Sequence, residues 1–180
     1  MKEIVIHGRG GQGSVTAAEI LAKAAFEDCW FSQAFPSFGV ERRGAPVMAF
    51  VRIDKKKIRI RSQIYNPDYV IVQDPTLLAT EDVGKGIKQD GLIIVNSALS
   101  PDELPVDGNV VTFDATRIAL DIIGKPIVNT VIIGAFASIT KLLSLESLKK
   151  SISHRFSGKI AELNVKAVEK AYEIAGGVHE

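Results

Sequence analysis

A short strand-like run, Ile4-Val5-Ile6 closed by His7, leads directly into Gly8-Arg9-Gly10-Gly11-Gln12-Gly13, and Val15, Ala18, Ile20, Leu21, Ala24 and Ala25 then recur at helical spacing. Strand, glycine turn and helix in that order leave few folds open. The glycines serve a turn too tight for ordinary side chains and let the helix start close against the strand. Such a unit opens a doubly wound α/β layer stack. Gly8, Gly10 and Gly13 also match the pattern G-x-G-x-x-G, in which backbone N–H groups at the helix start face an anion.

Residues 30–35 read as a second strand that stops at Pro36. The loop Pro36-Ser37-Phe38-Gly39-Val40-Glu41-Arg42-Arg43-Gly44-Ala45-Pro46 follows. Residues 47–53 and 58–61, joined by the polar Asp54-Lys55-Lys56-Lys57, predict an antiparallel hairpin and hence a mixed sheet. Residues 68–72 and 91–96 are compact β-branched runs of the kind covered on both faces; they are expected to be central and parallel, with a polar, partly helical segment over 76–89 between them. A further strand is expected over 109–113, with Asp114 capping a helix through Ile118, Ala119 and Ile122. Beyond Pro126 the pattern is helical: 130–142 is apolar nearly all round, and 145–154 and 159–175 are amphipathic. The expectation is a single α/β domain over residues 1–180, a doubly wound, Rossmann-like mixed sheet with helices on both faces and a helical C-terminal third.

Two readings of the glycine turn stand side by side. In one, Gly8, Arg9, Gly10, Gly11, Gln12 and Gly13 hold a phosphate or pyrophosphate; in the other, the glycines only let the helix pack and another protein's backbone approach. A nicotinamide or flavin site normally adds an acidic residue at the end of the second strand, where this chain has Ser32-Gln33-Ala34-Phe35. Glu27 and Asp28 come too early, at the expected helix end. A Walker A loop is excluded because Ser14 follows Gly13 where the phosphate-binding lysine should stand.

The loop after the second strand falls at the same sheet edge, so the two loops are expected to be neighbours. Arg42 and Arg43 suit a bidentate grip on a phosphate or carboxylate, with Glu41 orienting one of them, and Ser37 and Gly44 belong to the same candidate surface. The alternative is an ordered loop whose charges pair with each other or with a partner subunit.

Lys plus Arg number 22 against 21 Asp plus Glu, so no overall field draws the chain to nucleic acid or to an anionic membrane. The start, Met1 to His7, reads as a strand and lacks the apolar stretch of a signal peptide, which predicts a cytoplasmic location. With Cys29 as its one cysteine, the chain forms no internal disulfide and cannot by itself supply the four thiolates of an iron–sulfur cluster. His7, His154 and His179 lie far apart without metal-ligand spacing. Ser37 has no histidine near it in sequence and Cys29 is flanked by Asp28 and Trp30, neither of which lowers a thiol pKa, so no catalytic residue is expected in this chain and no metal.

Taken together, His7-Gly8-Arg9-Gly10-Gly11-Gln12-Gly13, then the stretch from Gln33 through Glu41-Arg42-Arg43-Gly44-Ala45-Pro46, then Arg59-Ile60-Arg61-Ser62 and Asn66-Pro67-Asp68, resemble the gamma subunit of pyruvate/2-ketoisovalerate:ferredoxin oxidoreductases. The resemblance spans almost the whole chain. It implies a multi-subunit enzyme that oxidatively decarboxylates a 2-oxoacid with coenzyme A to acyl-CoA, carbon dioxide and reduced ferredoxin, or runs in reverse as a synthase. It further implies thiamine diphosphate and Mg2+ on alpha and beta subunits and [4Fe–4S] clusters on a ferredoxin-like delta subunit, with no cofactor on this chain. The second loop looks like the pyruvate-type version, which puts pyruvate ahead of branched 2-oxoacids. Coenzyme A contact through the two loops, a purely structural assembly role and a free-standing dinucleotide-binding protein are the functional alternatives.

Overall fold

The structure, a computed structural model, describes residues 1–37 and 43–177. The chain runs β1 (Lys2–Arg9), α1 (Ser14–Glu27), β2 (Phe31–Pro36), β3 (Pro46–Asp54), β4 (Tyr69–Val72), β5 (Leu92–Asn96), β6 (Val110–Phe113), α2 (Ala115–Ile123), α3 (Asn129–Thr140), α4 (Leu145–Arg155) and α5 (Gly158–Gly177). The strands form one six-stranded sheet in the order β2-β3-β1-β4-β5-β6. Strands β1, β4, β5 and β6 are parallel neighbours, while β3 runs antiparallel to both β1 and β2. This is the mixed, Rossmann-like α/β arrangement that the alternating pattern predicts.

The hairpin is formed by other partners than expected. Strand β3 pairs with β2 from Phe31↔Asp54 to Pro36↔Ala49, and with β1 from Lys2↔Ile53 to Arg9↔Pro46. Both edges of β3 are therefore filled, and residues 58–61, despite their alternation, cannot pair with it as a hairpin and lie outside the sheet. The same insertion separates β2 from β1.

Because successive strand residues point to opposite faces, the two sides of the sheet can be read off alternate positions. Ile4, Ile6, Ala49, Val51, Ile53, Ile71 and Ile94 face one way, into a single apolar cluster to which all five α-helices contribute. Helix α3 sits in its middle and is buried from Asn129 through Ser138, which is why its sequence is apolar all round. On the other face Val70, Val72, Ile93 and Val95 pack beneath Leu77 and Leu78 of a 3-10 helix, Pro75–Ala79, and beneath Val83. Helical cover is thus present on both faces, α-helical on one and 3-10 on the other. Among the described residues, the β1–β3–β2 part of that second face carries only a small cluster of Val5, Phe50 and Ile64, with Phe35 against it.

Capping residues stop and start the helices where local chemistry requires. Asp114 accepts from the Arg117 N–H at 2.9 Å and opens α2, as its position predicts. Asp28, at the end of α1, accepts from the Ser144 N–H at 2.8 Å and from the Ser144 hydroxyl at 2.7 Å, and so fastens α1 to the start of α4. Its carboxylate is engaged there, far from the role of a ribose ligand.

Candidate functional site

The parallel strands bring their C-terminal ends to one edge, and three polar segments meet there: the glycine turn after β1, Gln73-Asp74 after β4, and Asn96 at the end of β5. The first turn of α1 opens on Gly13, whose φ of 78° lies in the left-handed region, and no side chain caps the helix. A side chain at Gly13 would also collide with Asn129 at the start of α3, whose Nδ2 would lie 2.5 Å from the added Cβ. Gly8 is required for another reason: a Cβ there would fall 2.3 Å from Ser14 Oγ and 2.6 Å from Gln73 Oε1, in the path of the hydrogen bond that joins them at 2.7 Å.

Most polar side chains of the turn hold the site itself together. Gln12 accepts from the Arg9 N–H at 2.7 Å and donates to Asp74 Oδ2 at 2.8 Å. The Arg9 guanidinium donates to Thr76 Oγ1 and to the Gly44 carbonyl, and lies 3.2 Å from Asp74. Burial raises the Asp74 carboxyl, and the bonds from Thr76 and Gln12 together with the Arg9 charge outweigh this and hold it below its ordinary value. Asp74 is therefore a charged hub that ties the glycine turn, the β4 end and the second loop into one unit.

The two loops are neighbours, as expected. The Gly10 N–H donates to the Ala45 carbonyl at 2.8 Å, the Gly44 N–H donates to the Gly10 carbonyl at 3.0 Å, and Gly10 bridges Arg43. Ser37 stands at the other end of the loop, where its N–H donates to the Met48 carbonyl at 2.9 Å. Glu41 and Arg42 fall outside the described residues. Between the loops lies a cleft of ≈ 430 Å³ lined by the glycine turn, Ser14, Val15, Thr16, Arg43 and Met48. First-turn N–H groups have no acceptor within their helix, and among the described residues no side chain caps them, so Ser14, Val15 and Thr16 present open donors at the positive end of α1 with the Arg43 cation at hand. The chemistry on offer is anion binding.

A dinucleotide site is not built here. On one side of β1 the neighbour is the antiparallel β3, which arrives at the turn with its first residue, Pro46, and on the other side Asp74, at the end of the parallel β4, is already held by Gln12 and Arg9. His7 lies on the interior strand β1; burial lowers its pKa from 6.5 to about 4, and it is neutral near pH 7. Among the described residues no group of three or more His, Cys, Asp or Glu side chains could hold a metal ion, and no helix is long and apolar enough to cross a membrane.

Gln73, Asp74, Asn96 and Asn129 belong to the site and were not singled out by sequence reasoning. Three of them had a readable signal, since Gln73, Asp74 and Asn96 are the first polar residues after the apolar runs of β4 and β5. Neighbouring parallel strands bring such residues to one edge. Asn129 had none, because only the packing of α3 beside α1 carries it to Gly13.

Fold and site together define a Rossmann-like α/β protein with an uncapped, arginine-flanked helix start in place of a dinucleotide fingerprint. The sequence pattern of the pyruvate ferredoxin/flavodoxin oxidoreductase family matches residues 3–174, and the chain belongs to that family. It is 62% identical to the pyruvate synthase subunit PorC of Methanosarcina barkeri, over 98% of both chains. It is 55% identical to the pyruvate/ketoisovalerate oxidoreductases common subunit gamma of Thermococcus kodakarensis, over 96% of both. Among solved structures it is similar to the pyruvate oxidoreductase subunit PORC of Thermotoga maritima, with a TM-score of 0.84 and 36% identity over 96% of this chain and 95% of that one.

Proposed function

We propose that residues 1–180 act as one domain, the gamma-type subunit of a 2-oxoacid:ferredoxin oxidoreductase, and that the cleft between its two loops takes the phosphate-bearing end of coenzyme A. The complex converts pyruvate, or a branched 2-oxoacid, and coenzyme A to acyl-CoA, carbon dioxide and reduced ferredoxin, or runs in reverse. Thiamine diphosphate and Mg2+ sit on alpha and beta subunits and the [4Fe–4S] clusters on a ferredoxin-like delta subunit. The names of the relatives support the subunit role, and they include both pyruvate and ketoisovalerate. Pyruvate leads because the PorC relatives reach the higher identity.

One observation carries the coenzyme A contact: Ser14, Val15 and Thr16 present uncapped N–H groups in the cleft beside Arg43, while Arg9 and Gln12 are already engaged. Coenzyme A supplies a 3′-phosphate and a pyrophosphate. Arg43 and Arg42 would pair with one of these groups by charge-assisted hydrogen bonds, each worth roughly 1.5–3 kcal/mol. The R42A/R43A double variant, assayed in the assembled complex, should raise the KM for coenzyme A at least tenfold with the KM for pyruvate unmoved. An unchanged KM in a complex that assembles normally sinks the contact.

A purely structural role is the second reading. It is favoured by the engagement of Arg9 and Gln12 in bonds that hold the two loops together. On that reading the same double variant lowers the yield of complex and leaves the KM for coenzyme A alone.

A further inference from the structure

The segment that follows β3 is the part of the chain that neither the fold nor the cleft uses. Strand β3 ends beside Lys2, at the end of the sheet remote from the glycine turn. The chain then crosses the face that lacks α-helices, where Ile64 packs on Val5 and Phe50, and the Gln63 carbonyl accepts from Arg52 Nη2 at 3.2 Å. Ahead of that anchor, residues 57–62 have no secondary structure, and among the described residues none of their backbone groups is hydrogen-bonded within the chain. Unpaired backbone groups in a stretch that alternates Ile58, Arg59, Ile60, Arg61 are those of a strand lacking its neighbour. Strand β3, which precedes the segment, cannot supply that neighbour, since both of its edges are filled.

The side chains are equally unpaired. Lys56, Lys57, Arg59 and Arg61 are exposed, and among the described residues none forms an ion pair or stacks on a ring. Lysines and arginines elsewhere commonly do, as Arg9, Lys88, Lys149 and Lys150 show. In a chain of net charge +1 these four cations are a local concentration, and Ile60 is 47% exposed among them.

We infer that residues 57–61 are a docking strand for an extended, acidic segment of a partner polypeptide. The partner's backbone completes the ladder, and its carboxylates meet Arg59 and Arg61 on one side of the strand. Arginine suits this, because its planar fork binds carboxylates in pairs. Strand addition also explains why the spacers are isoleucines: they offer apolar contact to a peptide, and no aromatic platform on which bases would stack. The inference rests on the reading that the chain works inside a multi-subunit complex.

The test uses the full chain alone and in the complex recovered by co-expression with the other subunits. Amide exchange at residues 57–61 should be immediate in the lone chain and at least tenfold slower in the complex. A carbodiimide, which joins a lysine amine to a carboxylate in contact with it, should link Lys56 or Lys57 to an Asp or Glu of a partner subunit. The R59E/R61E variant should lose at least tenfold in co-purified partner while the Tm of the lone chain stays unchanged. Fast exchange at 57–61 within an intact complex overturns the inference, and so does normal assembly of R59E/R61E. Salt-sensitive binding of a single-stranded oligonucleotide that R59E/R61E abolishes, with assembly unaffected, overturns it in favour of nucleic acid. A wild-type chain that recovers no partner subunit overturns the subunit reading itself.

Discussion

On the helical face Phe136 is shut between Tyr69, which meets it edge-on at 5.4 Å, and the helices around it; on the opposite face the same strands bury Arg52 and His7 and leave Met48 37% exposed. Arg52 is only 1% exposed, and its Nε donates to Glu3 at 2.9 Å while its guanidinium lies over the Phe35 ring. The first face is organised like a core, by apolar area and close packing. The β1–β3–β2 part of the second, unlike its covered β4–β5 part, is organised like an interface, with buried charge that must be paired and apolar side chains left half-covered. The two sides of this part of the sheet are thus held by different means, close apolar packing on one and paired buried charge on the other.

Truncation should break this contrast first if it is wrong. Phe136→Ala should cost about 4 kcal/mol in urea unfolding, since α3 is enclosed on all sides and little can collapse into the space. Phe50→Ala should cost less, about 2–3 kcal/mol, because its neighbours Phe35 and Met48 are only partly buried. Equal losses would remove the distinction.

The next effect is pH-dependent and belongs to the second face. His7 titrates at 6.5 when exposed and at about 4 in the folded chain, so protons bind the unfolded state first as pH falls. Its contribution is complete above pH 6.5 and is lost progressively toward pH 4, by up to about 3 kcal/mol. Unfolding measured at pH 7 and pH 4.5 should show the loss in the wild type and much less of it in His7→Gln. A wild-type chain equally stable at both would refute a buried, neutral His7.

The smallest effect is expected from the outer surface of the helical layer. Arg117 pairs with Asp121 at 3.1 Å, one turn along α2, and both side chains are exposed. Arg117→Ala should shift stability by no more than about 0.5 kcal/mol. A larger shift in thermal unfolding would mean that surface charge, and not the enclosed core, carries this side.

Much of this arrangement was legible before the structure. The glycine turn, the parallel pair β4–β5, the Asp114 cap and the buried α3 all announce themselves through local periodicity and capping chemistry, which operate over a few residues. The insertion of β3 between β2 and β1 did not, because pairing between Val5 and Phe50 is settled by competition for strand edges far apart in the chain. Residues 58–61 have the local pattern of a strand and lost that competition. Arg52 misleads for a similar reason: in sequence it is a charge in a strand, and only Glu3 across the ladder makes its burial tolerable. At the site, the glycines and Arg43 could be named, but the engagement of Arg9 and Gln12 depends on Asp74, which arrives from another strand.

Gly10 joins the two loops by a donated and an accepted backbone bond, and Arg9 reaches from the same turn to the Gly44 carbonyl. On the proposed reading, a ligand that drew on the glycine turn would also act on the second loop, and a subunit seated against the second loop would act on the turn. Binding at either place would then shift the free energy of binding at the other, and by thermodynamic reciprocity the factor would be the same in both directions. Assembly would then set the affinity for the small molecule, and the small molecule would report back on how firmly the subunits hold.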